Sequence, residues 1–229
     1  MKIEQKTPLD SQGVVIRKFR PADRGSLFRL CCDTAHFGNS CETFFPDREF
    51  LGDLIMAYYT DYEPEHTWIA QYQQEVVGYL CAGIDEAKYN RIVTFKIMPK
   101  ALFGALKRKK IWDRRTGRLI KYNAQSFFRG EAALKKISHK EFPAHIHMNI
   151  KEGIRGKGIG SKLVEAMLKE LKTKTLGIRF RALRQEPNFL FFERYGFKLL
   201  DCRRVKTWEQ WLDKKPLYFM EYGINFNGQ

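Results

Sequence analysis

Ile150-Lys151-Glu152-Gly153-Ile154-Arg155-Gly156-Lys157-Gly158-Ile159-Gly160-Ser161 sets four glycines within eight residues, between an alternating run and a helical run. Before it, Ala144-His145-Ile146-His147-Met148-Asn149-Ile150 alternates with period two, the pattern of a strand. His145, His147 and Asn149 fall on one face, and Ile146, Met148 and Ile150 on the other. After it, Leu163, Met167 and Leu171 recur every four residues with Val164 and Leu168 beside them, the pattern of a helix. Glycines in such a connection let successive N–H groups turn toward one point, and the helix N-terminus adds partial positive charge there. Arg155 and Lys157 add more. A strand, glycine loop and helix of this kind is suited to a pyrophosphate. The spacing Gly156-x-Gly158-x-Gly160 is not the dinucleotide fingerprint, and a Walker A loop is missing. A helix start that is merely glycine-rich is the competing reading.

Outward from this loop, the chain reads as strands and helices in alternation. Val14–Phe19 is a first strand. Helical spacing follows at Leu27, Leu30 and Cys31, and again from Phe50 to Tyr59. Thr67–Tyr72 and Val76–Ile84 flank Gln73-Gln74-Glu75 as a hairpin. On the other side, Leu176–Ala182 reads as a strand, Asn188–Tyr195 as a helix, and Phe197–Leu200 and Leu217–Ile224 as the last strands. The expected order is β-α-α-β-β, a helical segment, then β-α-β-α-β-β. It implies an α/β (α+β) protein with a mixed sheet and helices on both faces.

The 229 residues suit one domain over 1–229 and are enough to bury a core. No window approaches the length of a membrane-spanning helix, and Met1–Lys6 begins no apolar leader. Cys31, Cys32, Cys41, Cys81 and Cys202 are odd in number, include an adjacent pair and form no Cys-x-x-Cys. The expectation is a reduced, cytoplasmic protein with buried thiols and no structural metal.

Charge is uneven. Residues 88–140 hold 16 Lys and Arg against Asp113 and Glu131, and so carry nearly all of the net +15. Phe95, Phe103, Trp112, Tyr122, Phe127 and Phe128 interleave with those charges. The segment reads as a folded, mostly helical basic insertion, with a short helix expected over Gly130–Ile137. An anionic partner is expected for it: nucleic acid, a membrane surface or an acidic substrate. A solvated basic face is the plainer alternative.

Arg155-Gly156-Lys157-Gly158-Ile159-Gly160 resembles the GNAT acetyltransferase signature Gln/Arg-x-x-Gly-x-Gly/Ala. Glu193-Arg194-Tyr195-Gly196-Phe197 is similar to that family's Tyr-Glu-x-x-Gly-Phe region, with Phe192 in the Tyr place. Ile16–Asp23 looks like its opening strand and turn. The similarity runs from about residue 14 to 224, apart from much of 88–140, so the basic insertion falls between the third and fourth strands.

The resemblance implies a GNAT-like sheet splayed between its fourth and fifth strands, with acetyl-CoA as cosubstrate in the cleft. It implies that Met148, Asn149 and Ile150 present backbone groups to the pantetheine. It implies that Arg155, Gly156, Lys157, Gly158, Ile159, Gly160 and Ser161 hold the pyrophosphate, with Gln185, Asn188 and Phe192 further along the cofactor. The reaction expected is direct transfer of the acetyl group to a primary amine of an acceptor that the sequence does not identify. A general base would take the amine proton. His147 is the first choice because its ordinary pKa is near neutrality. His145, Asp85 and Glu86 are the other candidates. Phe192 cannot protonate a leaving thiolate, which leaves Tyr195 as the substitute acid. A reading from a different class is a nucleic-acid- or ribosome-associated binding protein acting through 88–140.

Overall fold

The computed structural model describes residues 13–131, 137–186 and 189–227. Seven strands form one mixed sheet: β1 (Val14–Lys18), β2 (Thr67–Tyr72), β3 (Glu75–Gly83), β4 (Ala144–Ile150), β5 (Gly177–Arg184), β6 (Lys198–Arg204) and β7 (Tyr218–Asn225). Their spatial order is β1-β2-β3-β4-β5-β7-β6. All neighbours are antiparallel except β4 and β5.

That parallel pair is brief. It contains only Ala144 opposite Ile178 and His145 opposite Arg179. The outer edges of both strands are fully occupied: β4 pairs with β3 up to Gly78–Ile150, and β5 pairs with β7 along its whole length. From Ile146 and Phe180 onward the two strands have no ladder with each other, and the sheet opens into a V.

Helices cover both faces. On one side α6 (Ile159–Leu171) lays Leu163, Val164, Met167 and Leu171 against Ala144, Ile146, Ile178 and Phe180. The four-residue apolar spacing of the sequence is the stripe that buries here. On the other side α1 (Arg24–Thr34) and α2 (Arg48–Asp61) pack Leu27, Leu30, Met56 and Tyr58 against Ile69, Tyr79 and Cys81. Asp47 starts α2 by accepting from the Phe50 N–H at 3.1 Å.

The 88–140 segment is mostly helical where described. It runs through α3 (Glu86–Ile92), a π-helical stretch (Val93–Ile97), α4 (Met98–Lys107) and α5 (Arg114–Phe128). Most of the short helix expected over Gly130–Ile137 lies outside the described residues. Arg108 ties the end of α4 to Asp47 (2.9 Å) and Glu49 (2.8 Å) at the start of α2. Arg115 reaches the Glu42 carbonyl at 2.7 Å. Two further elements depart from the expected pattern. The 188–195 helix shrinks to α7 (Leu190–Glu193), and α8 (Lys206–Leu212) occupies a stretch in which no helix was expected. Seven residues with no side-chain N-cap give little sequence signal.

Four of the cysteines are buried and none is in a disulfide. No helix among the described residues is long and apolar enough to cross a membrane.

A buried ion cluster sits where the V begins. Arg179 bonds Glu86 at the start of α3 and Glu221 on β7, and approaches His139 at 3.3 Å. Burial pushes the Glu86 carboxyl up, but Arg179 outweighs it and holds the group below its ordinary range. Glu86 and Asp85 are therefore committed to structure: Asp85 caps α3 through the Lys88 N–H at 2.9 Å. Beside the cluster, His145 and His147 are enclosed against the aromatic rings of Tyr89 (4.3 Å) and Tyr79 (5.7 Å). Burial lowers both imidazoles to about 4.

Removing Arg179 leaves Glu86 with His139 at 3.0 Å and the buried Glu221 with the exposed Arg181 at 3.5 Å, both weaker partners than the guanidinium between them. Arg179→Met should therefore cost about 3–5 kcal/mol in urea unfolding; a loss under about 1 kcal/mol would show that the cluster does not hold the two halves together. The histidines set a pH dependence. Both are neutral folded and unfolded above about pH 6.5, so they contribute nothing there. As pH falls from 6.5 toward 4 the unfolded chain takes up protons that the fold refuses. Stability should fall by up to ~1.4 kcal/mol per pH unit for each histidine. Urea melts of wild type and His147→Gln across this range should show the shallower slope in the variant.

Candidate functional site

The V opens into a cavity of about 950 Å³. One part of its lining comes from Met148, Asn149 and Ile150 of β4, from Ala182–Arg184 of β5, and from the glycine loop. The loop is shaped from within. Ile154 turns inward and is buried in the α6 core. Gly153, Gly156 and Gly158 take φ of +80°, +81° and +75°, the left-handed region that glycine reaches without strain. A Cβ on Gly156 or Gly158 would meet nothing within 4 Å, so the backbone at these points borders open space. Gly160 is different: a Cβ there would stand 3.0 Å from the Phe191 ring and 3.3 Å from Ile150.

Gly158 is the N-cap of α6 and has no side chain to satisfy the helix. The first amides of α6, from Ile159 on, are left for whatever enters the cavity. Arg155 leans on the strand, its Nε donating to the Ile150 carbonyl at 3.2 Å.

A second part of the lining comes from the α1–α2 loop, α5 and α8, and a third from Gln185, Glu186, Phe189, Phe191 and Arg194. His36, Phe37 and Phe44 stand on the loop, Leu119 and Asn123 on α5, and Trp208 and Trp211 on α8. The rings brace each other: Phe44 meets Trp211 at 5.6 Å, Trp208 meets Trp211 at 6.1 Å, and Tyr122 of α5 stacks on Trp211 at 6.4 Å. Arg129 and Glu131 beyond α5 clamp Thr207 at the start of α8 (3.1 and 2.9 Å). The α1–α2 loop is held against the glycine loop. Gly38 lies so close that a Cβ would come within 2.4 Å of the Glu152 carboxylate.

Of the residues expected at the site, Met148, Asn149, Ile150, Arg155, Gly156, Gly158, Gly160, Ser161 and Gln185 line this cavity together. Lys157 and Ile159 belong to the same loop but are not in the lining, and Ile159 is buried in the core. Phe192 is also core, its ring tilted against that of Phe180 at 4.2 Å, while its neighbours Phe189, Phe191 and Arg194 face the cavity. Asn188 lies outside the described residues. The Tyr195 hydroxyl points to Glu165 of α6 at 3.4 Å, away from the lining.

His145 and His147 line a second cavity of about 360 Å³, with Arg179, Arg181 and Glu221. One chain of contacts links the two cavities. The Asn149 amide donates to the Tyr79 hydroxyl at 3.0 Å, and that hydroxyl lies 3.3 Å from His147 Nδ1. The Tyr79 hydroxyl thereby ties the Asn149 side chain to His147.

Sequence reasoning passed over His36, Trp208 and Trp211. His36 is the imidazole that lines the large cavity. Burial lowers its pKa, a hydrogen bond with the Leu212 backbone opposes that, and Nε2 has no partner among the described residues. No periodicity marked it, since it sits in an irregular loop.

Residues 113–199 match the family model described as an acetyltransferase (GNAT) domain. The matched span opens at Asp113, the N-cap of α5, and ends in β6. The fold is similar to that of SsHAT, with a TM-score of 0.65 and 19% identity over 93% of this chain and 98% of that one. It is also similar to yncA from Salmonella typhimurium, a structure with its cofactor acetyl-CoA (TM-score 0.55, 12% identity, 95% and 96% covered). A third similar structure is the Drosophila melanogaster polyamine N-acetyltransferase, which forms N-acetylagmatine (TM-score 0.52, 13% identity, 93% and 99% covered). The match to an acetyltransferase (GNAT) domain thus spans α5, β4, the glycine loop, α6, β5 and α7, and the fold of the chain is like that of these solved acetyltransferases.

Proposed function

We propose that the protein moves the acetyl group of acetyl-CoA directly to a primary amine. The observation that carries this reading is the meeting of the unpaired edges of β4 and β5 with the open glycine loop in one cavity. The amides from Arg155 to Ser161 and the N-terminus of α6 hold the pyrophosphate. The free backbone groups of Met148–Ile150 bond the pantetheine, whose amides suit a strand edge. Gln185 and Arg194 flank the cofactor.

In the reaction the amine nitrogen attacks the thioester carbonyl carbon. The C–S bond breaks with its electron pair going to sulfur, and the nitrogen gives up a proton. His36 takes that proton, because burial lowers its pKa and favours the neutral ring. His147 acts behind Tyr79, holding Asn149 in place beside the reacting carbonyl.

The acceptor is an amine on an aromatic or apolar body. Phe37, Phe44, Trp208 and Trp211 give the second part of the cavity an aromatic wall. Among the described lining residues the carboxylate is Glu186, which is exposed and paired with Arg184 at 3.2 Å, so a polyamine finds little acid there.

Coenzyme A at about a hundredfold its Kd should raise Tm by roughly 5–10 °C. Gly158→Trp, which fills the open side of the loop, should abolish that shift. A thiol-release assay should show tryptamine or phenethylamine acetylated ahead of spermidine and agmatine; the reverse order would remove the aromatic-acceptor reading. His36→Gln should lower kcat about 100-fold and leave the coenzyme A shift intact.

A further inference from the structure

Eight of the thirteen large apolar side chains exposed among the described residues fall between positions 95 and 128. Leu102, Phe103 and Leu106 share one face of α4 with Pro99, at helical spacing, while Ala101 and Ala105 bury the opposite face. Phe95, on the π-helical stretch just before α4, is 75% exposed, and Trp112, just after it, is 80% exposed. On α5, Ile120, Phe127 and Phe128 stand out, the last two at 78% and 85%. So dense a set of exposed rings and aliphatic chains is a surface built to be covered.

The charges around it identify what covers it. Lys96, Lys100, Lys107, Lys109, Lys110 and Lys121 are all exposed, and among the described residues none pairs with a carboxylate. Lys107 lies over the Phe103 ring at 4.4 Å, so its cation sits at the border of the apolar stripe. A second copy of the chain is a poor occupant, because a two-fold interface would set these cations against themselves. Leu102, Leu106 and Ile120 offer a polynucleotide nothing to stack on. The same aliphatic chains, with Phe and Trp and a rim of lysines, match the boundary between headgroups and acyl chains.

We propose that the exposed apolar sides of α4 and α5 dock on an anionic lipid surface, with Phe95, Phe103, Trp112, Phe127 and Phe128 entering the boundary and the lysines meeting the headgroups. Docking would place the active cleft at that surface. α5 supplies Leu119 and Asn123 to the large cavity and also exposes Ile120, Phe127 and Phe128, with Phe127 one turn on from Asn123.

Co-sedimentation of the full chain with vesicles tests this without any assay of acetyl transfer. At about 0.1 M salt the protein should pellet with phosphatidylcholine vesicles containing about one-third phosphatidylglycerol, and not with phosphatidylcholine alone. A variant combining Phe103→Ser, Trp112→Ser, Phe127→Ser and Phe128→Ser keeps every charge. It should bind about tenfold or more weakly, with circular dichroism confirming that it folds. Trp112→Ser alone is the milder variant and should weaken binding in the same direction. No binding to the anionic vesicles overturns the proposal. So does a variant that binds as tightly as wild type, since charge alone would then suffice. Tighter binding to a single-stranded oligonucleotide than to the vesicles, at the same salt, assigns the face to nucleic acid instead.

Discussion

Two strands that run side by side for two residues and then part leave backbone amides and carbonyls facing one another across a gap. Buried peptide groups demand partners, and the parting of β4 and β5 leaves theirs to whatever enters. Everything else near the cavity follows from keeping that gap open at the right width. β3 and β7 secure the outer edges, so neither strand can roll toward the other. α6 lies across the junction on one face with a close-packed apolar stripe. On the opposite face the Arg179 cluster binds β5 to β7 and to the start of α3.

The same arrangement couples elements that are distant in the chain. α3 begins at the apex of the V, and the helices that follow it return to close the cavity through α5. Arg108 and Arg115 fasten them to α2 and the α1–α2 loop, and Arg129 and Glu131 fasten them to α8. The aromatic wall is thus assembled from two separate stretches, the α1–α2 loop and α8, each contributing two rings, with Tyr122 of α5 bracing Trp211.

This explains what could be read from the sequence and what could not. The glycine loop, β4 and α6 are contiguous, and their periodicities report local geometry that tertiary packing did not override. The hairpin and the opening strand were equally plain. The placement of His147 was not. Alternation puts it correctly on the His145–Asn149 face, but gives no sign that this face turns to a second cavity behind Tyr79. Tyr195 and Phe192 failed to meet the lining for a related reason. A helix of four residues has no sustained period to fix which side faces inward, and here Phe191 and Arg194 turn to the cavity instead. His36 and the α8 tryptophans come from an irregular loop and a short uncapped helix, where position is decided by long-range contacts alone.

The alternation of β4 also makes it a partition. Met148 and Ile150 side with the α6 core, whereas His145, His147 and Asn149 look toward α1 and α2. One peptide ribbon thereby separates a greasy compartment from a titratable one, at the thickness of a single backbone. Deleting or inserting one residue between Ala144 and Ile150 would exchange the two populations from that point on. Imidazoles would be driven into hydrocarbon and thioether into the polar chamber, so this stretch tolerates substitution far better than any change in its length.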